Sequence, residues 1–431
     1  MPAELDEPLT LPCGVRLRNR IAKAAMTEGL ADSSNRATAA LETLYRRWAH
    51  GGAGLLLTGN IQIDRQHLER PGNVAIDGAE DAAGLAALER FAEAAQERGA
   101  HAFAQLSHAG RQTPIYINKT PQAPSAIGLA LPGKQFGAPQ AMTAEAIEGV
   151  IARFAHAASI AKSAGFAGVQ VHAAHGYLIS SFLNPRANQR SDQWGGSLDN
   201  RARLLMRVVA AVRAKVGSGF AVSVKLNSSD FQQGGFSFDE CKQVIAWLNE
   251  AGVDLLEISG GSYEQPSMMD MEGLEPPHEA RRVSTRAREA YFLQYAEEAA
   301  RVAKMPLMVT GGFRTRAVMD RALASGAADV IGIGRPLCVD PDAPAKLLSG
   351  EARELPSYEK SLRLGDGFWG PQSSSPMMKA LNGFAAMAFF YKNIELLSRG
   401  EAGRSDLALL PAFVSLQMNE RARAQKLQKA R

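Results

Sequence analysis

The stretch Gly168–Asn188, GVQVHAAHGYLISSFLNPRAN, starts as a short apolar strand and runs straight into His172, His175 and Tyr177. Histidine is scarce, with 8 in 431 residues, so two of them beside a tyrosine at a strand end call for a reason. The strand itself is apolar on both faces, the pattern of a buried parallel strand. The same pattern recurs seven more times, and that recurrence decides the fold. Before it come RIAKAAM (20–26), GLLLTGN (54–60) and HAFAQLSH (101–108). After it come FAVSVKLN (220–227), DLLEISGG (254–261), PLMVTGG (306–312) and VIGIGRP (330–336).

Helical patterns fill the gaps. AALETLYRRWAHGG (39–52) ends on glycines, a helix stop signal. DAAGLAALERFAEAAQERGA (81–100) and TAEAIEGVIARFAHAASIAKSAG (143–165) repeat apolar residues at three and four, the second opening on Thr143 and stopping at Gly165. SLDNRARLLMRVVAAVRAKVG opens on Ser197, a good N-cap. Strands alternating with helices predict an α/β fold with a parallel sheet. Eight repeats match a closed (β/α)8 TIM barrel. The alternative, an open doubly wound sheet, should carry G-x-G-x-x-G after the first strand, and that motif is missing.

Three segments lie outside the repeat. LTLPCGVRL (9–17) reads as an N-terminal hairpin that could plug one barrel end. Thr113–Met142 is long and rich in proline and glycine, as lids and binding loops are. From about Tyr358 a turn-rich stretch, GDGFWGPQSSSP, leads into further helical patterns. The expected organisation is a barrel over 1–357 and a C-terminal helical extension over 358–431, packed on the barrel or across an oligomer interface.

Composition is ordinary for a globular chain: 46% hydrophobic, 21% charged, net charge +4. That charge gives no reason to expect nucleic acid or an acidic membrane as partner. The basic tail ERARAQKLQKAR reads as solvated. Cys13, Cys241 and Cys338 are odd in number and far apart, which argues against a disulfide framework and for a reducing, cytoplasmic setting. The N-terminus lacks the basic-then-apolar pattern of a signal peptide. The apolar run ALNGFAAMAFF is too short to span a bilayer.

In such barrels chemistry sits at the C-terminal ends of strands. Those ends offer Ala25, Met26 and Thr27; Asn60; Gln105, Ser107 and His108; His172, His175 and Tyr177; Lys225 and Asn227; Gly311 and Gly312; Gly334 and Arg335. Glycine loops after strands seven and eight form the recurrent phosphate site of the fold, although tight turns also need glycine. The two histidines have no H-E-x-x-H pattern and no carboxylate or cysteine at ligand spacing, so no metal is expected. They could donate hydrogen bonds to one substrate oxygen, with Tyr177 as a neutral proton source, or be core residues. Lys225 could form a Schiff base, as in a lyase, or face a bound anion.

Several of these stretches together resemble the old yellow enzyme family of flavin-dependent ene-reductases. RIAKAAMTEG, QLSHAGRQ, APSAI (123–127), VHAAHGYLISSFLNPRANQRSDQWGGSLDNRARL, VTGGF and IGIGRP occur in the family's order, covering about Leu9 to Pro341. The resemblance implies a barrel with non-covalent FMN, reduced by NADH or NADPH. It implies that Ala25, Met26 and Thr27 border the flavin, with Thr27 at its C4 carbonyl side. Asn60 and Gln105 would touch the pyrimidine edge, and Lys225 would lie near N1 and the C2 carbonyl. Gly311, Gly312, Gly334 and Arg335 would hold the phosphate. His172 and His175 would grip the carbonyl of an α,β-unsaturated substrate, and Tyr177 would protonate its α-carbon. Nitro compounds and dienoyl thioesters are other acceptors the resemblance allows.

The sequence departs from the pattern in places. Lys225 stands where the family has arginine, a point charge instead of a planar fork. Trp194 replaces a tyrosine and Ala25 a proline. The cysteine cluster of larger, iron–sulfur members is missing. The loop SYEQPSMMDMEGLEPPHEARR (262–282) is expected to face the substrate.

Overall fold

The structure is a computed structural model, and it describes residues 3–131, 135–259 and 295–430. The expected lid at 262–282 lies outside the described residues.

Eight parallel strands form a closed ring: β1 (Ile21–Lys23), β2 (Leu55–Leu57), β3 (His101–Ser107), β4 (Gly168–Ala173), β5 (Ala221–Asn227), β6 (Leu255–Ser259), β7 (Leu307–Thr310) and β8 (Val330–Ile333). Each pairs with its sequence neighbours, β2 pairs with β3, and β8 pairs with β1 through Ile331↔Ile21, so no edge is left open. The barrel expectation holds, as does the C-terminal helical extension. Gly168, which opens β4, is required by strand approach. A Cβ there would lie 2.7 Å from Ala221 Cβ and 2.8 Å from the Phe103 ring.

The helices start where the sequence placed their caps. Thr143 accepts from Ala146 N, and Ser197 accepts from Asn200 N. Their buried faces, such as Val150, Phe154 and Ala157, join the barrel's outer layer in one large core. A second cluster fills the barrel's lower interior. There Leu11 and Leu17 of the N-terminal hairpin (Leu9↔Leu17) pack on Leu55, Phe103, Leu255 and Val330. The hairpin is the plug the sequence suggested.

The extension packs on the barrel. Helix Pro376–Ser398 starts at Ser375, which caps Met378 N, and places Ala385, Phe389 and Ile394 in the main core. The last helix, Leu409–Ala430, lies along it and reaches the loop after β2. Leu427 packs with Leu68, Ala75 and Ile117. Glu420 bonds Arg70 at 2.7 Å, and the Arg70 guanidinium sits 3.9 Å above the Tyr391 ring. Among the described residues no helix is long and apolar enough to cross a membrane.

Candidate active site

The opening stretch resolves into a strand, a turn and a short helix. β4 ends at Ala173, the chain reverses through His175 and Gly176, and helix Leu178–Leu183 follows Tyr177. His175 has φ of 62° and Gly176 of 79°. A left-handed histidine is uncommon and must be held by its surroundings. Here its backbone and one ring nitrogen are held. Its N–H donates to Asn227 Oδ1 (3.1 Å), its C=O accepts from Gln112 Nε2 (3.0 Å), and its Nε2 contacts Ser259 Oγ at 2.7 Å. Asn227 and Gln112 thus fix its backbone, and Ser259 at the β6 end fixes its ring.

His172 is fixed differently. Its Nδ1 accepts from Ala174 N at 3.2 Å, which leaves the ring proton on Nε2. The His172 ring lies edge-on to both His175 (5.1 Å between centroids) and Tyr177 (4.9 Å). Burial, with His175 and Lys225 adding to it, holds His172 well below the ordinary histidine range. Burial and Lys225 do the same to His175. Both rings are therefore neutral at pH 7 and able to donate one proton each without carrying charge.

Below them runs a buried polar layer. Gln105 Nε2 donates to Gln170 Oε1 (2.7 Å), and Gln170 Nε2 donates to Glu257 Oε2 (2.9 Å). Lys225 Nζ lies 2.9 Å from Glu257 Oε1, with side chains 4% and 0% exposed. Lys225 and Glu257 are register partners on β5 and β6. Glu257 escaped the reading of strand ends, yet it is the one carboxylate inside the strand LLEIS (255–259), and that was its signal. Asp230 is a second buried carboxylate. It accepts from Asn227 Nδ2 at 2.8 Å, and burial lifts it to about 6 against that hydrogen bond.

On the β1–β2 side, Thr27, Asn60 and Tyr177 come together with Glu69. Thr27 Oγ1 donates to Glu69 Oε2 (2.6 Å), and Asn60 Nδ2 lies 2.9 Å from Glu69 Oε2 and 3.2 Å from Tyr177 Oη. Met26 Sδ is 3.4 Å from Cys338 Sγ, under the β8 end.

The β7–β8 ends carry Gly311 (φ 121°) and Gly312 (φ 76°), both where a side chain would strain the turn. Arg314 and Arg335 approach the same carboxylate, Glu359, at 2.7 and 3.8 Å. Burial works to raise the Glu359 carboxyl, but Arg314 and Arg335 together hold it below its ordinary range. Arg314 and Glu359 were missed in the sequence, since neither sits at a strand end.

One cluster has the make-up of a metal site, but its hydrogen bonds suit an internal network better. Asp64, His67 and His108 bring a carboxylate and two imidazoles together. However, His67 Nε2 accepts from Gln122 N (2.9 Å) and His108 Nδ1 accepts from Gly110 N (3.1 Å). Their protons therefore sit on the nitrogens facing Asp64, where a metal would need lone pairs. His67 Nδ1 donates to Asp64 Oδ2 at 3.0 Å, and Arg153 lies 3.4 Å from the same oxygen. Burial first, then His67, pushes His108 down to about 4 despite Asp64. The cluster ties the loop after β2 to the loop after β3.

Residues 4–354 match the profile of one family, NADH:flavin oxidoreductase / NADH oxidase. The chain belongs to that family. A NADH-dependent flavin oxidoreductase of Hypocrea jecorina is 36% identical over 404 residues, covering 90% of this chain and 97% of that protein. A NADH oxidase of Thermoanaerobacter brockii is 34% identical over 342 residues, covering 79% of this chain and 50% of that one. Among solved structures, an old yellow enzyme homologue from Zymomonas mobilis superposes with a TM-score of 0.68 at 27% identity, covering 82% of this chain and 94% of that one. The chain is thus a flavin oxidoreductase with FMN as cofactor and reduced nicotinamide as co-substrate.

The residues present fit FMN. Gly311 and Gly312 offer a backbone cradle, and Arg314 and Arg335 offer positive charge beside it. Asn60 Oδ1 is a buried acceptor with no partner, suited to an imide N–H. Thr310 Oγ1, next to the glycine turn, is a second such atom.

Proposed function

We propose that this flavin oxidoreductase reduces the activated C=C bond of α,β-unsaturated carbonyl compounds. The observation that carries the reading is the grouping of two neutral, immobilised imidazoles and a phenol at the end of β4. His172 offers its Nε2–H, and His175 stands beside it in a left-handed conformation with its backbone held on both sides. Two neutral donors at one oxygen stabilise the negative charge that grows there, without the screening that bulk water would bring. Tyr177, whose ring centroid lies 4.9 Å from that of His172, holds a proton at Oη and delivers it to the α-carbon. Its phenol is 4% exposed as a residue, so water does not compete for the same position.

When bound, FMN would supply the hydride chemistry between the nicotinamide and the β-carbon. On this reading Ala25, Met26 and Thr27 border the flavin, and Asn60, Gln105 and Lys225 face its pyrimidine edge. Gly311, Gly312, Gly334 and Arg335 hold its phosphate. Residues 1–357 form the flavin-binding unit, and 358–431 form the extension. Membership of a flavin family sets aside the Schiff-base reading of Lys225.

Anaerobic half-reactions test the proposal. Tyr177→Phe should slow oxidation of the reduced enzyme by cyclohexenone by about 10²-fold or more while sparing its reduction by nicotinamide. Equal slowing of both halves would remove Tyr177 as the proton source. Nitro and dienoyl thioester acceptors belong in the same panel, and a preference for either would replace the enone reading.

A further inference from the structure

The proposed function leaves Glu69 without a task, although it touches two residues of the site. Glu69 lies in the loop after β2, outside every strand end. Its Oε2 takes the Thr27 hydroxyl at 2.6 Å and the Asn60 amide at 2.9 Å. A carboxylate oxygen can only accept. The contact therefore decides which end of the Asn60 amide faces it: the NH2 group. The same NH2 group then lies 3.2 Å from Tyr177 Oη and must donate to it. Asn60 Oδ1 is turned the other way, buried without a partner. Two consequences follow. Tyr177 Oη accepts a hydrogen bond from the Asn60 NH2 group, so its own proton is not used on that bond. The Thr27 hydroxyl proton is committed to Glu69, so it is not available to an acceptor on the other side.

The loop is held for this purpose from both flanks. Leu68 is packed under Leu427 of the last helix. Arg70, 6% exposed, is gripped between Glu420 and the Tyr391 ring. Glu69 is thus seated by the C-terminal extension and aimed at the barrel mouth.

We propose that Glu69 is a positioning residue: its carboxylate fixes the Asn60 amide so that Asn60 donates to Tyr177, and it withdraws the Thr27 hydroxyl proton from the flavin's edge. The first half rests on the enone reading above; the second does not. When Tyr177 gives up its proton, the Asn60 N–H steadies the phenolate oxygen until water returns one. At Thr27, a carboxylate and a committed hydroxyl both disfavour extra negative charge on the flavin, which makes the flavin harder to reduce.

Two variants of the FMN-loaded protein separate these effects. Glu69→Leu removes the acceptor oxygen and the charge; Glu69→Gln keeps an oxygen that can hold both bonds and removes only the charge. For Glu69→Leu the flavin midpoint potential should rise by about 30 mV, a tenfold change for a two-electron couple. Its enone half-reaction should slow about tenfold, the loss of one charge-assisted hydrogen bond, and the alkaline limb of its pH profile should move up. Glu69→Gln should raise the potential while keeping the enone half-reaction near wild type. In a Thr27→Val background the rise caused by Glu69→Leu should shrink. A wild-type potential in both Glu69 variants overturns the Thr27 half, and an unshifted pH limb in Glu69→Leu overturns the Tyr177 half. If Glu69→Leu does not hold FMN, Glu69→Gln decides alone, because an unmoved potential still refutes the charge effect. The potential is read without any acceptor, so a wild-type enzyme that ignores enones sinks the proposed function and leaves this measurement standing.

Discussion

Glu257→Gln should expose how much the barrel interior depends on one ion pair. The substitution keeps the shape of the side chain and an acceptor for Gln170 Nε2, and deletes only the charge 2.9 Å from Lys225 Nζ. Both side chains are almost wholly buried, so Lys225 is left as a cation with neither water nor counter-charge. Breaking a buried pair from one side costs about 3–5 kcal/mol. With an unfolding entropy of about 2.1 cal/mol/K per residue, the 431 residues give about 0.9 kcal/mol/K. The apo protein should then melt about 3–6 °C lower. Lys225→Met should cost a similar amount, because it strands Glu257. The double variant, Lys225→Met with Glu257→Gln, should return close to wild type, since removing both charges together leaves neither stranded and the Gln170 bond is kept. Thermal melts of the four apo proteins complete the cycle. If the two single losses simply add in the double variant, the charges act separately and the pair does not hold the layer.

Acid should destabilise the fold in a defined window. His108, His172 and His175 are held below their unfolded value of about 6.5, so the unfolded chain binds more protons as pH falls. Their contribution is present above pH ~6.5 and is lost on the way down toward about pH 4, at up to about 1.4 kcal/mol per pH unit for each. Urea midpoints across that range should fall, and His108→Gln should flatten the slope by about one proton. Glu359→Gln should free Arg314 and Arg335 for the phosphate and lower the Kd for FMN about tenfold, read by flavin fluorescence on the apo protein. An unchanged or weaker Kd would mean that Glu359 orders the arginines instead of competing for them. His172→Ala with His175→Ala should keep FMN bound yet weaken phenol binding and enone turnover about 10²-fold or more. A double variant with the wild-type rate would refute the carbonyl clamp.

The parts of the molecule that the sequence displays are those written in local order. Each strand is a run of apolar residues, each helix has its cap, and the strand-end residues follow the strands directly. His172, His175 and Tyr177 were legible for that reason. What stayed hidden depends on distance through space. Glu257 meets Lys225 only because β5 and β6 align in a particular register. Glu69 reaches Thr27 from 42 residues away, and Arg314 reaches Glu359 from 45. Asp64, His67 and His108 illustrate the reverse risk. Their proximity suggests a metal, and only the backbone N–H groups of Gly110 and Gln122 show which ring nitrogens are acceptors and turn the others toward Asp64.

The ring closure between β1 and β8 has a consequence for how the chain is made. Ile21 leaves the ribosome long before its partner Ile331, which is among the last residues of the barrel. Until then β1 is an unpaired apolar edge, and the hairpin residues Leu11 and Leu17 have only half their neighbours. Contacts this far apart in sequence are slow to form, and waiting strand edges invite aggregation. Trp48, buried on helix Ala39–His50, donates its indole N–H to Leu337 O, just past β8. Its fluorescence therefore reports the moment the barrel shuts, and refolding should show it as a late phase that follows most of the gain in secondary structure.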